Sequence, residues 1–228
     1  MTVPSAQAQA VPSPWVGADI GGPSIAGQSA SSDGRTFDLS AAGFDIWNSS
    51  DEFHFVYQPI DGDVEVFARV DAVSYAHAWS KAGVMIRGSL AANAPHAFAL
   101  VSAGKGIAFQ RRSNTGSGSM NTSGPAATSP YWVRLARVGT RVTASVSTNG
   151  TSWTTVGSDT IALGQRAYVG IEVTSHNTSA ATDARVSQVT IQQQQAATAD
   201  LPAPFQNRDI GNPARAGSAT HSSGTFTV

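Results

Sequence analysis

Cysteine is absent from the 228 residues, which excludes disulfides, thiolate metal ligands and a cysteine nucleophile. Lysine is nearly absent, with only Lys81 and Lys105, and charged residues make up 13% of the chain against 41% hydrophobic ones. A core of good size can therefore form. The formal net charge is -1, without the basic stripe that nucleic acid binding leaves, so no nucleic-acid partner is expected. No apolar run approaches the roughly 18 residues of a membrane-spanning helix, which speaks against membrane insertion. Met1 to Pro14 has neither the charged start nor the apolar centre of a secretory leader, so the start reads either as an artificial boundary or as a cut inside a longer protein. Long amphipathic helical patterns are missing too. The surface is filled instead by Ser, Thr, Ala, Gly and Asn. That neutral, hydroxyl- and amide-rich composition suits an extracellular or cell-surface module.

The chain is organised around residues 79–112, WSKAGVMIRGSLAANAPHAFALVSAGKGIAFQRR. Alternation of period two reads there as three strands, 80–87, 96–102 and 107–112. Val84, Ile86, Ile107 and Phe109 fall on an apolar face. Lys81, Met85, Arg87, Gln110 and Arg112 fall on the other, which is where a function is expected. Further strands are read at 35–39, 44–47, 53–58, 64–70, 131–137, 141–148, 151–156, 168–174 and 184–191. Phe53, Phe55 and Tyr57 share a face that reads as core, with His54, Val56 and Gln58 opposite. Asn149-Gly150 between alternating runs is a strong hairpin signal. Residues 14–30 read as irregular and 113–130 as a long Gly/Ser/Thr/Asn loop. A dozen short strands and no helix predict an all-β, two-sheet antiparallel sandwich.

Composition divides the chain into a flexible lead-in at 1–13, a module at 14–192 and a Gln/Ala/Pro linker at 193–206. The remainder, 207–228, reads as the start of a second, truncated copy. Arg208-Asp209-Ile210-Gly211-Asn212-Pro213 repeats Ala18-Asp19-Ile20-Gly21-Gly22-Pro23, and Ala216-Gly217 repeats Ala26-Gly27. Gly224-Thr225-Phe226 matches Gly34-Arg35-Thr36-Phe37 with one residue dropped. A tandem array is expected, and further copies of the module are expected partners.

Six collinear stretches carry a resemblance: 51–70, 80–101, 106–112, 131–139, 147–153 and 168–177. Together they resemble the concanavalin A-like lectin/glucanase jelly rolls, in the branch of modules found in multi-domain bacterial secreted proteins. Lys81-Ala82-Gly83-Val84-Met85-Ile86-Arg87, then Ala108-Phe109-Gln110-Arg111-Arg112 and Val173-Thr174-Ser175-His176-Asn177, form the specific combination. The resemblance implies two antiparallel sheets, one of them concave, with a glycan across the concave face. His54, Gln58, Phe67 and Glu172 are expected to join that face from neighbouring strands.

Each chemistry has a bland counterpart. A glycosidase needs two carboxyl groups about 5–10 Å apart. The glucanases of the resembling family carry theirs as E-x-D-x-x-E, whereas here Asp61, Asp63 and Glu65 stand in and beside a turn. Solvated or paired acids are the better reading. A Ser-His-Asp hydrolase is dismissed, because Gly116-Ser117-Gly118-Ser119 sits in a low-complexity loop. The five histidines (His54, His77, His96, His176 and His221) show no zinc spacing. No cofactor is expected. A structural calcium ion stays open, with Asp19, Asp61, Asp63 and Asp183 as oxygen donors. Among aromatics that stack on sugar rings, Trp47, Trp79 and Tyr57 are candidates, Tyr57 reading better as core.

The resulting expectation is a non-catalytic carbohydrate-binding module, with polysaccharide or glycan as partner. The site is placed at Trp79, Lys81, Met85, Arg87, Gln110 and Arg112: Trp79 stacking, Lys81, Arg87 and Gln110 bonding hydroxyls or an acidic sugar, Met85 forming an apolar floor. The alternative is a structural or adhesion spacer. A glycoside hydrolase or lyase, by fold analogy only, is third. An open groove with exposed aromatics marks the lectin, and a groove filled by the protein's own side chains marks the spacer.

Overall fold

Alternating apolar residues generate strands from Val16 to Gln193 in the first unit of the chain, residues 1–193, which is distinct from a second unit at 194–228. A computed structural model describes residues 11–193, 205, 219–222 and 225–228. The lead-in over 1–10, most of the linker and the repeat at 208–213 lie outside the described residues. The first unit contains strands β1 (Val16–Ile20), β2 (Gln28–Ala30), β3 (Phe37–Gly43), β4 (Ile46–Trp47), β5 (Ser50–Asp51), β6 (Phe53–Asp61), β7 (Val64–Val73) and β8 (Lys81–Arg87). They continue as β9 (His96–Ser102), β10 (Ile107–Arg112), β11 (Met120–Ser123), β12 (Tyr131–Val138), β13 (Arg141–Ser147), β14 (Thr154–Thr160), β15 (Arg166–Thr174) and β16 (Asn177–Gln193). In the second unit β17 (Thr220–Ser222) pairs antiparallel with β18 (Thr225–Thr227).

Two seven-stranded antiparallel sheets result, ordered β1-β6-β15-β8-β9-β10-β11 and β14-β13-β12-β7-β16-β3-β2. This is the all-β sandwich. The principal core lies between the sheets. Val84, Ile86, Val101 and Phe109 of the first sheet meet Phe37, Val66, Leu135 and Val146 of the second. No helix among the described residues is long and apolar enough to cross a membrane.

A second apolar cluster occupies the outer face of the first sheet, and the alternation did not reveal it. Phe53, Phe55, Tyr57, Met85, Phe98 and Leu100 are buried there together with Ile46 of β4. Strands β8 and β9 are buried at every position. A strand buried on both faces offers two apolar faces, and period two alone does not say which one meets the other sheet. That ambiguity reverses one expectation: Val56, not Phe55, belongs to the inter-sheet core. His54, which shares that face of β6, therefore turns away from the expected site, and so does Gln58. Phe67 lies on the second sheet, its ring 6.1 Å from Trp153. Glu172 alone of those four joins the outer face.

Two glycines let strands of the first sheet approach closely. A Cβ on Gly83 would lie 2.1 Å from Ala99 O, and one on Gly170 would lie 1.9 Å from Val56 O. Only glycine fits against backbone at that distance. Two loops read from sequence also contain strands. β1 falls inside the segment read as irregular, and β11 falls inside the 113–130 loop. β14 starts at Thr154, later than read, because Asn149 Oδ1 accepts the backbone N–H groups of Thr151 and Ser152, each at 2.9 Å. Those donors are held in an Asx turn and do not enter the ladder.

Candidate functional site

The first sheet's outer face is polar at one end and along one side, and the register explains why. Arg87 pairs with His96, and His96 pairs with Arg112, so three cationic or titratable side chains stand abreast on β8, β9 and β10. Asp51 closes over them from the β4–β5 hairpin (β4 pairs with β5 through Ile46↔Asp51). Its carboxylate accepts from Arg87 Nη1 at 3.1 Å and from Arg112 Nη1 and Nη2 at 2.9 and 2.6 Å. Arg112 also donates to the carbonyls of Trp47, Asn48, Ala94 and Ser117. One guanidinium thus fastens three separate loops onto the sheet. Arg87 ties down the 88–95 turn by donating to Ser89 O and Ala91 O at 2.8 and 2.6 Å.

The expected site accordingly splits. Arg87 and Arg112 are fully buried, with their donors taken by protein acceptors, and Met85 is fully buried in the second cluster. None of the three presents surface to a ligand, which corrects their assignment as contact residues. A guanidinium stripped of water needs carboxylate and carbonyl partners, and the loops that supply those partners also cover it. Burial lowers the Arg87 pKa from its usual value, with Asp51 acting against the shift. Burial also brings His96 down to about 3, Asp51 opposing and the two arginines reinforcing. His96 is neutral at pH 7.

Trp79, Lys81 and Gln110, by contrast, meet at a cleft of about 400 Å³. Its walls are the partly exposed rings of Trp47 and Trp79, with Asp45, Asn121 and His176 at the rim. The β10–β11 register Gln110↔Asn121 puts the two amides side by side, and Gln110 Nε2 donates to Asn121 Oδ1 at 3.2 Å. Lys81 and Gln110 form the floor: they are 1% and 3% exposed. Lys81 Nζ donates to Gln110 Oε1 at 2.8 Å and lies 2.6 Å from Asp45 Oδ1 and 5.8 Å from the centre of the Trp79 ring. His176 Nδ1 lies 3.1 Å from Asp45 Oδ2, at an angle off the line of a hydrogen bond, and its ring stacks on His77 at 4.3 Å. Phe44, 65% exposed, continues the row of rings.

Trp47 was legible as an aromatic candidate. Asp45, Asn121 and His176 were not. Asn121 sits on a strand hidden in a low-complexity run, and Asp45 and His176 come from bends between strands where no period applies.

Glu172 is fully buried near Lys81 and Asp45, and neither carboxyl oxygen has a hydrogen-bond partner. Burial pushes its pKa well above the usual carboxylate value; Lys81 opposes, and Asp45 and Asp51 reinforce. A larger cleft of about 490 Å³ runs along β2, β3, β7 and β16, but it has no aromatic ring, and of its charged residues Arg185 pairs with Asp38 at 2.7 Å while Asp183 remains as a carboxylate. Convergent polar groups and rings, rather than volume, single out the smaller cleft.

An Asp–His–Ser array does occur, although no sequence motif announced it. His54 Nδ1 lies 2.7 Å from Asp19 Oδ1, and His54 Nε2 lies 3.2 Å from Ser29 Oγ. Both Asp19 oxygens also accept from Gly27 N. Gly27 and Gly17 let the backbone close in on it: a Cβ on Gly27 would lie 2.3 Å from His54 Nδ1, and one on Gly17 would lie 2.9 Å from Ser29 Oγ. Ser29 also lines the larger cleft. The array is a clamp that ties β1 and β6 of the first sheet to β2 of the second. Among the described residues, no three His, Asp or Glu side chains come together as a metal site. Asp61 instead pairs with Arg166 at 3.0 Å, and Asp63 accepts from Gly139 N.

No protein-family model matches this sequence, and no curated protein sequence matches it. Solved structures do match its fold. A functionally unknown protein from Saccharomyces cerevisiae superposes with a TM-score of 0.62 at 15% identity, over 79% of this chain and 97% of that one. The carbohydrate-binding module CBM66 from Bacillus subtilis gives 0.52 at 13% identity, over 78% and 95%. The GH43 protein BlXynB from Bacillus licheniformis, as its K247S mutant, gives 0.53 at 13% identity, over 70% of this chain but only 33% of that protein. The chain therefore shares its sandwich fold with these proteins.

Proposed function

We propose that the first unit is a non-catalytic glycan-binding module, holding a sugar in the cleft between Trp47 and Trp79. The observation that carries this reading is the pairing of two partly exposed indole rings with a fixed amide and carboxylate rim, on a face otherwise sealed. Indole faces pack against the C–H face of a pyranose, and the Asn121 amide and Asp45 carboxylate take its hydroxyls. Binding does not extend across the whole face, because Arg87, Arg112 and Met85 lie beneath the loops. The fold shared with a carbohydrate-binding module supports the reading. The repeat of Asp19-Ile20-Gly21 at Asp209-Ile210-Gly211 supports a parent with further copies of the module, and the resemblance to modules of secreted bacterial proteins suits a secreted bacterial one. Several weak sites in one chain would add by avidity.

Catalysis is disfavoured by the acids themselves. Asp45 is ion-paired to Lys81, and Glu172, the other nearby carboxyl, has no exposed surface. A glycosidase needs both of its carboxyl groups at the bond. The spacer reading has one observation in its favour: the outer face is mostly filled by the protein's own side chains. A glycan-array screen of the full chain, with Trp79→Ala and Trp47→Ala, separates the two. Binding to a narrow set of glycans that either variant abolishes is the expected result. Silence from folded wild-type protein would favour the spacer.

A further inference from the structure

Resting on the glycan reading, we infer that the cleft selects an uncharged sugar and that Asp45 is the residue that sets this preference. At first sight a lysine on the floor invites an acidic sugar. The hydrogen-bonding inventory says otherwise. An ammonium has three protons to donate, and Lys81 Nζ faces three acceptors: Asp45 Oδ1 at 2.6 Å, Gln110 Oε1 at 2.8 Å and Ile46 O at 3.5 Å. With the residue 1% exposed, a ligand carboxylate has neither a free proton nor a path to one. Arg87 and Arg112, the other cations of this face, are fully buried around Asp51.

What the cleft does present is Asp45. Its side chain keeps 12% of its surface, and His176 stands at its second oxygen. An uncharged sugar hydroxyl donates to a carboxylate readily. A uronate in the same position meets a like charge, with the compensating ammonium held below and already engaged. The Asn121 amide and the two indole rings carry no charge of their own, so Asp45 is the charged group that a ligand meets at the rim. Asp45 is therefore a specificity residue. Of the two partners expected for Lys81, hydroxyls or an acidic sugar, the Lys81–Asp45 contact favours hydroxyls.

The test uses the full chain and matched oligosaccharide series: glucose, galactose, mannose and xylose oligomers, and the glucuronic, galacturonic and mannuronic acid counterparts. Calorimetric titration at low and at 0.5 M salt should find a neutral oligomer bound at least tenfold more tightly than its uronate partner, about 1.4 kcal/mol. Neutral binding should not change with salt, and uronate binding should strengthen as repulsion is screened. Asp45→Asn should narrow the ratio tenfold or reverse it. Uronate preference that weakens in salt and is lost in Trp79→Ala would overturn the neutral-sugar inference while leaving the cleft as the site. An unchanged ratio in a folded Asp45→Asn protein would remove Asp45 from the role. The wild-type salt series decides the class of sugar even where that variant does not fold. Absence of binding to both series by folded wild type would overturn the glycan reading beneath the inference.

Discussion

Replacing Asp51 by Asn tests whether a buried ion cluster holds the cleft together. Asp51 is 2% exposed, and its carboxylate takes three hydrogen bonds from two guanidinium groups that are themselves fully buried. Asn keeps the shape and one acceptor oxygen, but it removes the charge and turns an NH₂ group toward donors. Breaking one partner of a buried ion pair leaves an uncompensated charge out of water and costs about 3–5 kcal/mol. For a unit of this size that corresponds to a melting temperature lower by about 6–20 °C. Urea unfolding followed by tryptophan fluorescence reads the loss directly, with Asp38→Asn as the control. Asp38 pairs with Arg185 at 2.7 Å, but the two side chains are 65% and 53% exposed, and such pairs contribute about 0–1 kcal/mol. Asp51 ends the hairpin that carries Trp47, and Arg112 holds the Trp47 and Asn48 carbonyls. Asp51→Asn should therefore weaken glycan binding under conditions where the protein is still folded. A loss for Asp51→Asn within 1 kcal/mol of that for Asp38→Asn would refute the latch.

The protonation of the same face sets opposing pH dependences. Glu172 has its pKa raised well above 4.5 by burial, so the native state keeps a proton that the unfolded chain releases. Its stabilisation is complete below about pH 4.5 and is lost as pH rises, and Glu172→Gln should raise the urea midpoint at pH 8 but hardly at pH 4. His96, lowered from 6.5 to about 3, works the other way: stability is full above pH 6.5 and falls toward pH 3, and His96→Gln should flatten that acid limb. Gly170→Ala would force a Cβ to 1.9 Å from Val56 O and should cost about 1–3 kcal/mol in urea unfolding. Gly118→Ala meets nothing within 4 Å and should stay within about 0.5 kcal/mol of wild type; equal losses would show that the close approach at Gly170 is relaxed.

How far the sequence disclosed this arrangement depends on how many faces of each strand are buried. On β7, where Val64, Val66, Ala68 and Val70 are buried and Glu65, Phe67 and Arg69 are not, alternation assigned both faces correctly. On β6 it did not, because Phe53, Phe55 and Tyr57 pack under the β4–β5 hairpin while Val56 packs between the sheets. The same hairpin explains the site. The sequence pattern placed Lys81, Arg87, Gln110 and Arg112 on one face, and that is where they are. Pattern along a strand carries no word about what lies over it. Asp45 and Asp51, six residues apart on either side of a short turn, decide the outcome. One neutralises Lys81 beneath an open cleft, and the other draws two arginines out of reach. Carboxylates in bends have no period to betray them, and their partners lie 36 and 61 residues further along the chain. A polar stripe on an otherwise apolar sandwich strand is thus as much a sign of a covering loop with acids in it as of a ligand. Here both occur on one face, and the boundary between them runs between the Lys81–Asp45 and Arg87–Asp51 pairs.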